Sequence, residues 1–328
     1  MGAHSYGGKS TGAGALAIWT QKLKGMSAMR YQDGGDRHVL AVQMGAGISG
    51  AEVAEFASEN GLTIVSGNCP SVGIAGGYIL GGGHGPLSSK FGLAADNALE
   101  FEVIDGKGDL VIANRRENSD LFWALRGGGG GTFGVVLTTT VRAYRDLPVT
   151  FGTLSFASEG IAEERFYEAC ASFYDIIPSL VDAGAVPIFL FTPQAFMLQE
   201  LIAPGLAETE LDKLLQPFLA KLEGTGIQYQ KTSVTYKNYR EFQATELSGW
   251  TKNQANLIMG GSWLMPRSVI AGPVSGKKKY FETVKELVKS GLIVQQLGFN
   301  VAKKPGSDID NAVLPAWRDA LLHTVVAT

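Results

Sequence analysis

The amino-acid sequence predicts an α+β protein of two domains, and three observations carry that prediction. Segments that alternate apolar and polar residues, which favour half-buried strands, are interspersed with segments of helical periodicity. Of the 43 glycines, 29 lie in residues 1–148, so the two parts of the chain differ in composition. A chain of 328 residues with 45% hydrophobic residues is long enough to bury one large core or two moderate ones.

Residues 1–148 are predicted to form a mixed domain with two helices. The first helix begins at Ser49, because its hydroxyl and the Glu52 carboxylate three residues later match a capping box, and it ends at Asn60. The second runs from about Ser119 to Arg126, where five consecutive glycines stop it. Strands are predicted at Leu16–Thr20, Val39–Met44, Leu62–Val65, Leu99–Asp105 and Val135–Tyr144.

The composition changes around Pro148, where we place the domain boundary, and residues 149–328 form the second predicted domain. Amphipathic helices are predicted at Ala162–Ile177, Thr209–Leu222 and Lys277–Ser290. Strands are predicted at Val186–Phe191, Gln228–Val234, Asn256–Leu264 and Leu292–Gly298. Helices that cover one face of an antiparallel sheet are the simplest architecture for this pattern.

Charge and cysteine content narrow the function classes. The net charge is −3, and Lys and Arg are scattered, so the pattern favours neither nucleic acid nor a membrane surface as partner. Two cysteines are too few for a disulfide framework and lack the spacing of a zinc site. No apolar stretch approaches the roughly 20 residues of a membrane span, and the N-terminus has no signal-sequence pattern. The expected partner is a small molecule; the sequence does not indicate an oligomeric state.

Three glycine-rich clusters are the candidate binding elements: Gly2–Gly8, Gly67–Gly85 and Gly127–Gly134. Glycine lets backbone N–H groups approach phosphates or a flat ring, since no Cβ intervenes. None of the clusters matches the lysine-bearing phosphate-binding loop, and none places G-x-G-x-x-G between a strand and a helix. Nucleotide hydrolysis and a Rossmann domain are therefore disfavoured.

The order and spacing of five motifs resemble one family. The chain reads Gly-x-His-Ser-Tyr-Gly-Gly-Lys-Ser from Gly2, Gly-x-Cys-Pro-x-Val-Gly from Gly67 and Gly-Gly-Gly-His-Gly from Gly81. It continues with Asp-Leu-Phe-Trp-Ala-Leu-Arg-Gly-Gly-Gly-Gly from Asp120 and Phe-Gly-Val-Val from Phe133. This set resembles the berberine-bridge-like FAD-linked oxidases. The sequence from Gly8 to Thr20 is similar to that of a fungal secreted branch whose members are described as alcohol oxidases. The resemblance implies a PCMH/VAO-type FAD-binding domain over residues 1–148 and a substrate-binding domain over residues 149–328.

The resemblance implies FAD as the cofactor, attached twice. His4 matches the histidine that bonds the flavin 8α-methyl group, and Cys69 the cysteine that bonds C6. From residue type alone, a mobile terminal histidine and a small buried hydrophobe are the alternatives. Cys170 lies within a predicted helix and is read as a core residue. The remaining implied flavin contacts are Ser5, Gly7, Gly67, Pro70, Val72, Gly73, Gly76, Gly77, Gly82, Gly83, Gly134, Val135 and Val136.

Three residues are candidates for the chemistry. His84 matches a position that faces the reactive side of the isoalloxazine, where it would accept a proton or orient the substrate; the alternative is a histidine that only hydrogen-bonds to its glycine loop. Tyr6 matches a substrate-contact position. Gln296 is expected to line the substrate pocket from its strand, with Gln295 on the opposite face.

The implied activity is the oxidation of a small alcohol or secondary metabolite. A base takes the O–H or N–H proton, hydride passes to flavin N5, and O2 reoxidises the flavin to give H2O2. Two alternatives remain open: a ring-closing cyclase of secondary metabolism, and an inactive flavin-free fragment. No metal is implied.

The same resemblance predicts what this stretch of sequence lacks. Family members carry a further flavin-domain segment before the His-Ser-Tyr motif and a C-terminal return segment that supplies a catalytic tyrosine. The chain is therefore expected to be truncated at both ends and poorly soluble alone, because sheet edges and apolar surface would be exposed. The intact parent is expected to be secreted, whereas the compartment of this chain is not predicted.

Overall fold

A computed structural model describes residues 12–14, 16–33, 38–248, 260–303 and 309–328. The first part of the chain forms a five-stranded antiparallel sheet of order β1-β2-β6-β4-β5 and a small pair β3-β7. Its strands are β1 (Met26–Gln32), β2 (His38–Gly45), β3 (Leu62–Thr63), β4 (Ala98–Ile104), β5 (Leu110–Asn114), β6 (Val135–Arg142) and β7 (Tyr144–Arg145). Its helices are α1 (Gly50–Glu59), α2 (Ser88–Phe91) and α3 (Ser119–Leu125).

The second part forms a seven-stranded antiparallel sheet of order β11-β8-β10-β9-β13-β14-β12. Its strands are β8 (Val149–Ala157), β9 (Val186–Phe191), β10 (Ala195–Pro204), β11 (Gln230–Tyr236), β12 (Gly260–Pro266), β13 (Ile293–Gly298) and β14 (Ala320–Ala327). Its helices are α4 (Glu163–Ser172), α5 (Ile177–Asp182), α6 (Glu208–Gly224), α7 (Tyr239–Glu246), α8 (Arg267–Ile270), α9 (Val274–Lys289) and α10 (Ala316–Asp319). The α+β prediction, with helices on an antiparallel sheet, is confirmed.

In the first part of the chain, helices α1 and α3 begin and end close to the residues predicted from their capping and glycine signals. Ser49 caps α1, and its backbone N–H donates to the Glu52 carboxylate at 2.9 Å, which completes the predicted capping box. α3 ends at Leu125, and Gly127 follows with a φ of +114°, a conformation that a residue with a Cβ rarely adopts.

Other predictions were wrong in ways that have local causes. Leu16–Thr20 forms no strand but an exposed irregular segment. The single helix predicted over Ala162–Ile177 is broken by a 3₁₀ turn at Phe173–Asp175, and α5 starts anew with Pro178 in its first turn. A proline in a helix interior would remove a hydrogen bond and clash with the preceding turn, whereas at a helix start it costs nothing.

Three apolar clusters hold the molecule together. The largest lies between the seven-stranded sheet and helices α4, α6 and α9, and it buries Cys170 as the sequence predicted. The second lies under the five-stranded sheet and also takes in Tyr239 and Phe242 of α7. The third lies where the two parts meet and joins Leu93 and Ala95 to residues of the second part: Val186, Ile188, Phe299, Val301 and Val313. We call this contact between the two parts of the chain the seam, and the candidate site lies along it.

Among the described residues, no helix combines the length and apolar character that a membrane crossing requires.

Candidate active site

Two of the glycine-rich clusters pack against each other. A Cβ at Gly85 would lie 2.1 Å from the Ser66 carbonyl oxygen, so the loop Gly81–Gly85 lies directly on the backbone that precedes Cys69. A Cβ at Gly130 would lie 3.1 Å from the Gly77 Cα, and the Gly129 N–H donates to the Leu80 carbonyl at 2.7 Å. The third cluster, Gly2–Gly8, lies outside the described residues. The density of glycine therefore has a physical cause: at these points two backbones meet without room for a side chain.

Cys69 lies half-buried beside an acidic residue of the second part. The Asn68 amide nitrogen donates to the Glu200 carboxylate at 3.2 Å, which brings Glu200 of β10 to the Cys69 loop. Burial raises the pKa of the Cys69 thiol, and the negative charge of Glu200 raises it further. The thiol is thus protonated near neutral pH but accessible, unlike the fully buried Cys170.

The surroundings of Cys69 fit a flat cofactor. Gly76 has a backbone conformation of φ −109° and ψ −121°, and a Cβ there would meet no atom within 4 Å. Gly76 and the exposed Gly77 thus border open space, while Gly67, Pro70, Val72 and Gly73 form the buried base of the same loop. Residues 1–11, with the predicted contacts His4, Ser5, Tyr6 and Gly7, lie outside the described residues.

Several residues predicted as flavin contacts also have packing roles. A Cβ at Gly134 would lie 2.6 Å from the Val103 side chain, so close packing against β4 requires glycine there. The Val136 side chain belongs to the core under the five-stranded sheet and is not available to a ligand, whereas Val135 is half-buried. Gly82 and Gly83 shape the loop of His84, with φ values of +105° and +68°.

His84 lies at the seam within a cluster of rings. Its imidazole stacks on Trp317 with ring centroids 5.6 Å apart, contacts Phe299 at 5.2 Å, and meets His323 edge-on at 5.9 Å. Trp317 and His323 are themselves 5.5 Å apart. The backbone of His84 is held in place by Tyr78, whose hydroxyl donates to the His84 carbonyl at 2.9 Å. The structure thus brings the predicted His84 together with three rings from residues 299–323.

Burial, together with a smaller contribution from charge repulsion by the neighbouring His323, lowers the pKa of His84 to about 4. Burial also lowers the pKa of His323. Both imidazoles are therefore neutral at ordinary pH, and a neutral imidazole carries one nitrogen able to accept a proton.

The prediction for Gln296 is wrong. Gln296 is fully buried on the helix-covered face of the seven-stranded sheet, where its amide oxygen accepts hydrogen bonds from the hydroxyls of Tyr174 at 2.7 Å and Tyr280 at 2.9 Å. Alternation along β13 does separate the two glutamines as expected, but with the faces exchanged. Gln295 lies on the open face and donates to Gln199 at 2.8 Å. Periodicity alone does not say which of two alternating faces is covered by helices.

A buried ion pair fixes Trp317 beside His84. Arg318 donates from its two terminal nitrogens to the Asp96 carboxylate at 2.7 and 2.8 Å, and Asn311 donates to the same carboxylate at 2.8 Å. Asp96 belongs to the first part of the chain, so these bonds cross the seam. Trp123 adds a further link at 3.1 Å to Asp310.

Sequence reasoning missed four residues of this site: Glu200, Phe299, Trp317 and His323. Trp317 lies outside the five motifs that carry the family resemblance. Glu200 and His323 lie on strands β10 and β14, which periodicity did not detect, so nothing in the sequence placed them near Cys69 or His84.

Comparison with known proteins agrees with this arrangement. An FAD-binding-domain family model matches residues 2–114. The FAD-linked oxidoreductase sthB of Phaeosphaeria nodorum is 43% identical over 239 residues, which cover 72% of this chain and 75% of that protein. The bifunctional decalin synthase calF of Penicillium decumbens is 34% identical over 97% of this chain. The chain spans 56% of the length of calF, and likewise about half of most curated relatives that it matches.

Solved structures give the same fold. The VAO-type flavoprotein MtVAO615 from Myceliophthora thermophila superposes with a TM-score of 0.87 at 34% identity, covering 98% of this chain and 58% of that one. Berberine bridge enzyme from Eschscholzia californica superposes with a TM-score of 0.66 at 21% identity, covering 88% of this chain and 57% of that one, which shows a shared fold. The chain belongs to the FAD-linked oxidoreductases, and it shares the fold of VAO-type flavoproteins and of berberine bridge enzyme.

Proposed function

We propose that the protein containing this chain oxidises a small alcohol or a secondary metabolite with FAD attached through His4 and Cys69, and passes the electrons to O2 to give H2O2. The observation that supports it most is the packing of the Gly81–Gly85 loop on the backbone leading to Cys69, since it brings a neutral imidazole and an accessible thiol to adjacent loops. The relatives named as FAD-linked oxidoreductases support the cofactor and the general reaction.

His84 is the proposed proton acceptor. Its neutral ring takes the hydroxyl proton of the substrate at an imidazole nitrogen, and its low pKa keeps that nitrogen free at neutral pH. Phe299 and Trp317 pack around the ring and limit the access of water to it. When bound, the flavin supplies the hydride acceptor and the reaction with dioxygen.

Cys69 is the residue of the second cluster that is proposed to hold the flavin. The thiol is half-buried rather than enclosed, so it remains open to bond formation. The open space at Gly76 lies on the same loop. A covalent bond at Cys69 and another at His4 would fix the isoalloxazine ring at two points.

The test is a panel of alcohols mixed with the purified flavoprotein in the absence of oxygen, with flavin absorbance followed. An oxidase bleaches with its substrate, recovers its colour when oxygen is admitted, and forms one H2O2 per product. His84→Gln should slow bleaching about 100-fold or more while leaving the flavin bound. Cys170→Ala is the matched cysteine control and should bleach normally. Bleaching at the native rate in His84→Gln contradicts the proposed base.

A ring-closing reaction is the second candidate, because a relative covering 97% of the chain is named a bifunctional decalin synthase. A cyclase forms its product equally well with and without oxygen and consumes none. Product formation under both conditions, measured with the same substrates, separates the two functions.

A further inference from the structure

His323 has an unsatisfied nitrogen at the seam. Its Nδ1 is buried and has no hydrogen-bond partner among the described residues, although burying a polar atom without a partner costs about 1–3 kcal/mol. Such an atom in a native structure calls for an explanation, and an active site is one place where this cost is retained. His323 is also the only described histidine whose ring meets that of His84.

Strand alternation directs His323 to the seam. The next residue, Thr324, shares a hydrogen bond of 2.6 Å with the Tyr280 hydroxyl on the helix-covered face. His323 therefore points to the opposite, open face, where its neighbour across β13 is Leu297. Leu297 packs against the seam cluster, so the ring of His323 lies against apolar groups on that side.

Other groups around His84 are either uncharged or already engaged. From the turn before this loop, the Tyr78 hydroxyl donates to the His84 backbone carbonyl and not to the ring. From residues 299–317, Phe299 and Trp317 contribute apolar rings, and the adjacent Arg318 is paired with Asp96. Among the described residues, the titratable side chain that faces the His84 ring is therefore His323.

We propose that His323 is a positioning residue for His84: its ring, held edge-on across the seam while Trp317 stacks on the other side, fixes the orientation of the His84 imidazole and keeps it uncharged. This inference rests on the proposed role of His84 as proton acceptor. Two imidazoles at 5.9 Å repel each other when both are protonated, so each one disfavours charging of the other. His84 remains the group that receives the substrate proton, and His323 acts through it.

The first measurement is the pKa of His84 in the flavoprotein, obtained by NMR with isotope-labelled histidine. The second is the pH profile of kcat/KM, of which the acid limb reports the same protonation. In His323→Phe, which keeps a ring but removes both nitrogens, the pKa of His84 should rise by about one pH unit, and the acid limb should move with it. kcat should fall about 10-fold through loss of orientation. His323→Gln provides a second variant if the phenylalanine does not fold.

Thr324→Val is the matched control, because it alters the neighbouring residue on the same strand but faces the helices. It should leave both the pKa of His84 and the acid limb unchanged. An unchanged pKa of His84 in both His323 variants overturns the proposal, as does an equal shift in Thr324→Val. A failure of the proposed function gives a different result. In that case the pKa of His84 still rises in the His323 variants, but His84→Gln reduces its flavin at the native rate.

Discussion

Replacing Arg318 by alanine should destabilise the fold severely, although the residue belongs to none of the three apolar clusters. Arg318 and Asp96 form a two-bond ion pair with side-chain exposures of only 12% and 3%. Removing the guanidinium leaves a buried carboxylate without its charge partner, and broken pairs of this kind cost about 3–5 kcal/mol. Asp96 keeps the Asn311 amide at 2.8 Å and the Leu93 backbone N–H at 3.0 Å, which places the expected loss near the lower end, about 3 kcal/mol.

Urea unfolding of the native and Arg318→Ala proteins measures this loss through the midpoint and slope of the transition. The exposed pair Lys289–Glu163 supplies the control, because its side chains are 49% and 65% exposed. Lys289→Ala should shift the urea midpoint far less, since solvent screens the exposed charges. Equal losses in the two variants would refute the reasoning that burial at the seam makes Arg318 important. The Asp96→Asn, Arg318→Met double variant should recover part of the loss, because no uncompensated charge remains.

Charge and close packing at the site predict three more effects. The pKa of His84 is about 4 when folded and 6.5 as the ordinary value, so the unfolded state binds more protons between those values. Stability should therefore fall by about 3 kcal/mol as pH drops through that window, and chemical unfolding at several pH values should show a smaller fall in His84→Gln. Glu200→Gln removes a charge that raises the pKa of Cys69, so in protein prepared without flavin iodoacetamide should alkylate Cys69 faster at a fixed neutral pH. Peptide mass spectrometry measures the rate, and an unchanged rate means that Glu200 does not act on the thiol. Gly127→Ala should lower the free energy of unfolding by more than about 2 kcal/mol, because the φ of Gly127 is +114° and the new Cβ would lie 2.6 Å from Val313. Gly131→Ala, at a φ of +70° but facing open space, should lower it by about 1 kcal/mol. Thermal unfolding measures both losses. Equal losses would rule out the close approach to Val313.

The sequence was informative wherever the cause of structure is local. The α1 capping box, the glycine run after α3 and the amphipathic helices α6 and α9 depend on residues near one another in the chain. The glycine clusters were predicted as places where backbone approaches a ligand, and the structure shows that Gly85 and Gly130 approach other backbone segments.

Features that depend on distant pairings were not predicted. Strands β8, β10 and β14 are held by neighbours far along the chain, and without them neither Glu200 nor His323 could be placed. The face assigned to Gln296 was reversed because alternation defines two faces but not which one the helices cover. Ring contacts such as His84 with Trp317 arise only when the two parts of the chain meet.

The most direct test of the account is whether flavin stays with the protein after denaturation. The purified protein is precipitated with acid, and flavin absorbance is measured in the pellet and the supernatant for the native sequence, His4→Ala, Cys69→Ala and the double variant, with Cys170→Ala as control. The account predicts a yellow pellet that loses its colour only when both His4 and Cys69 are replaced. Flavin released into the supernatant from the native protein, or a yellow pellet from the double variant, would contradict attachment at these two residues.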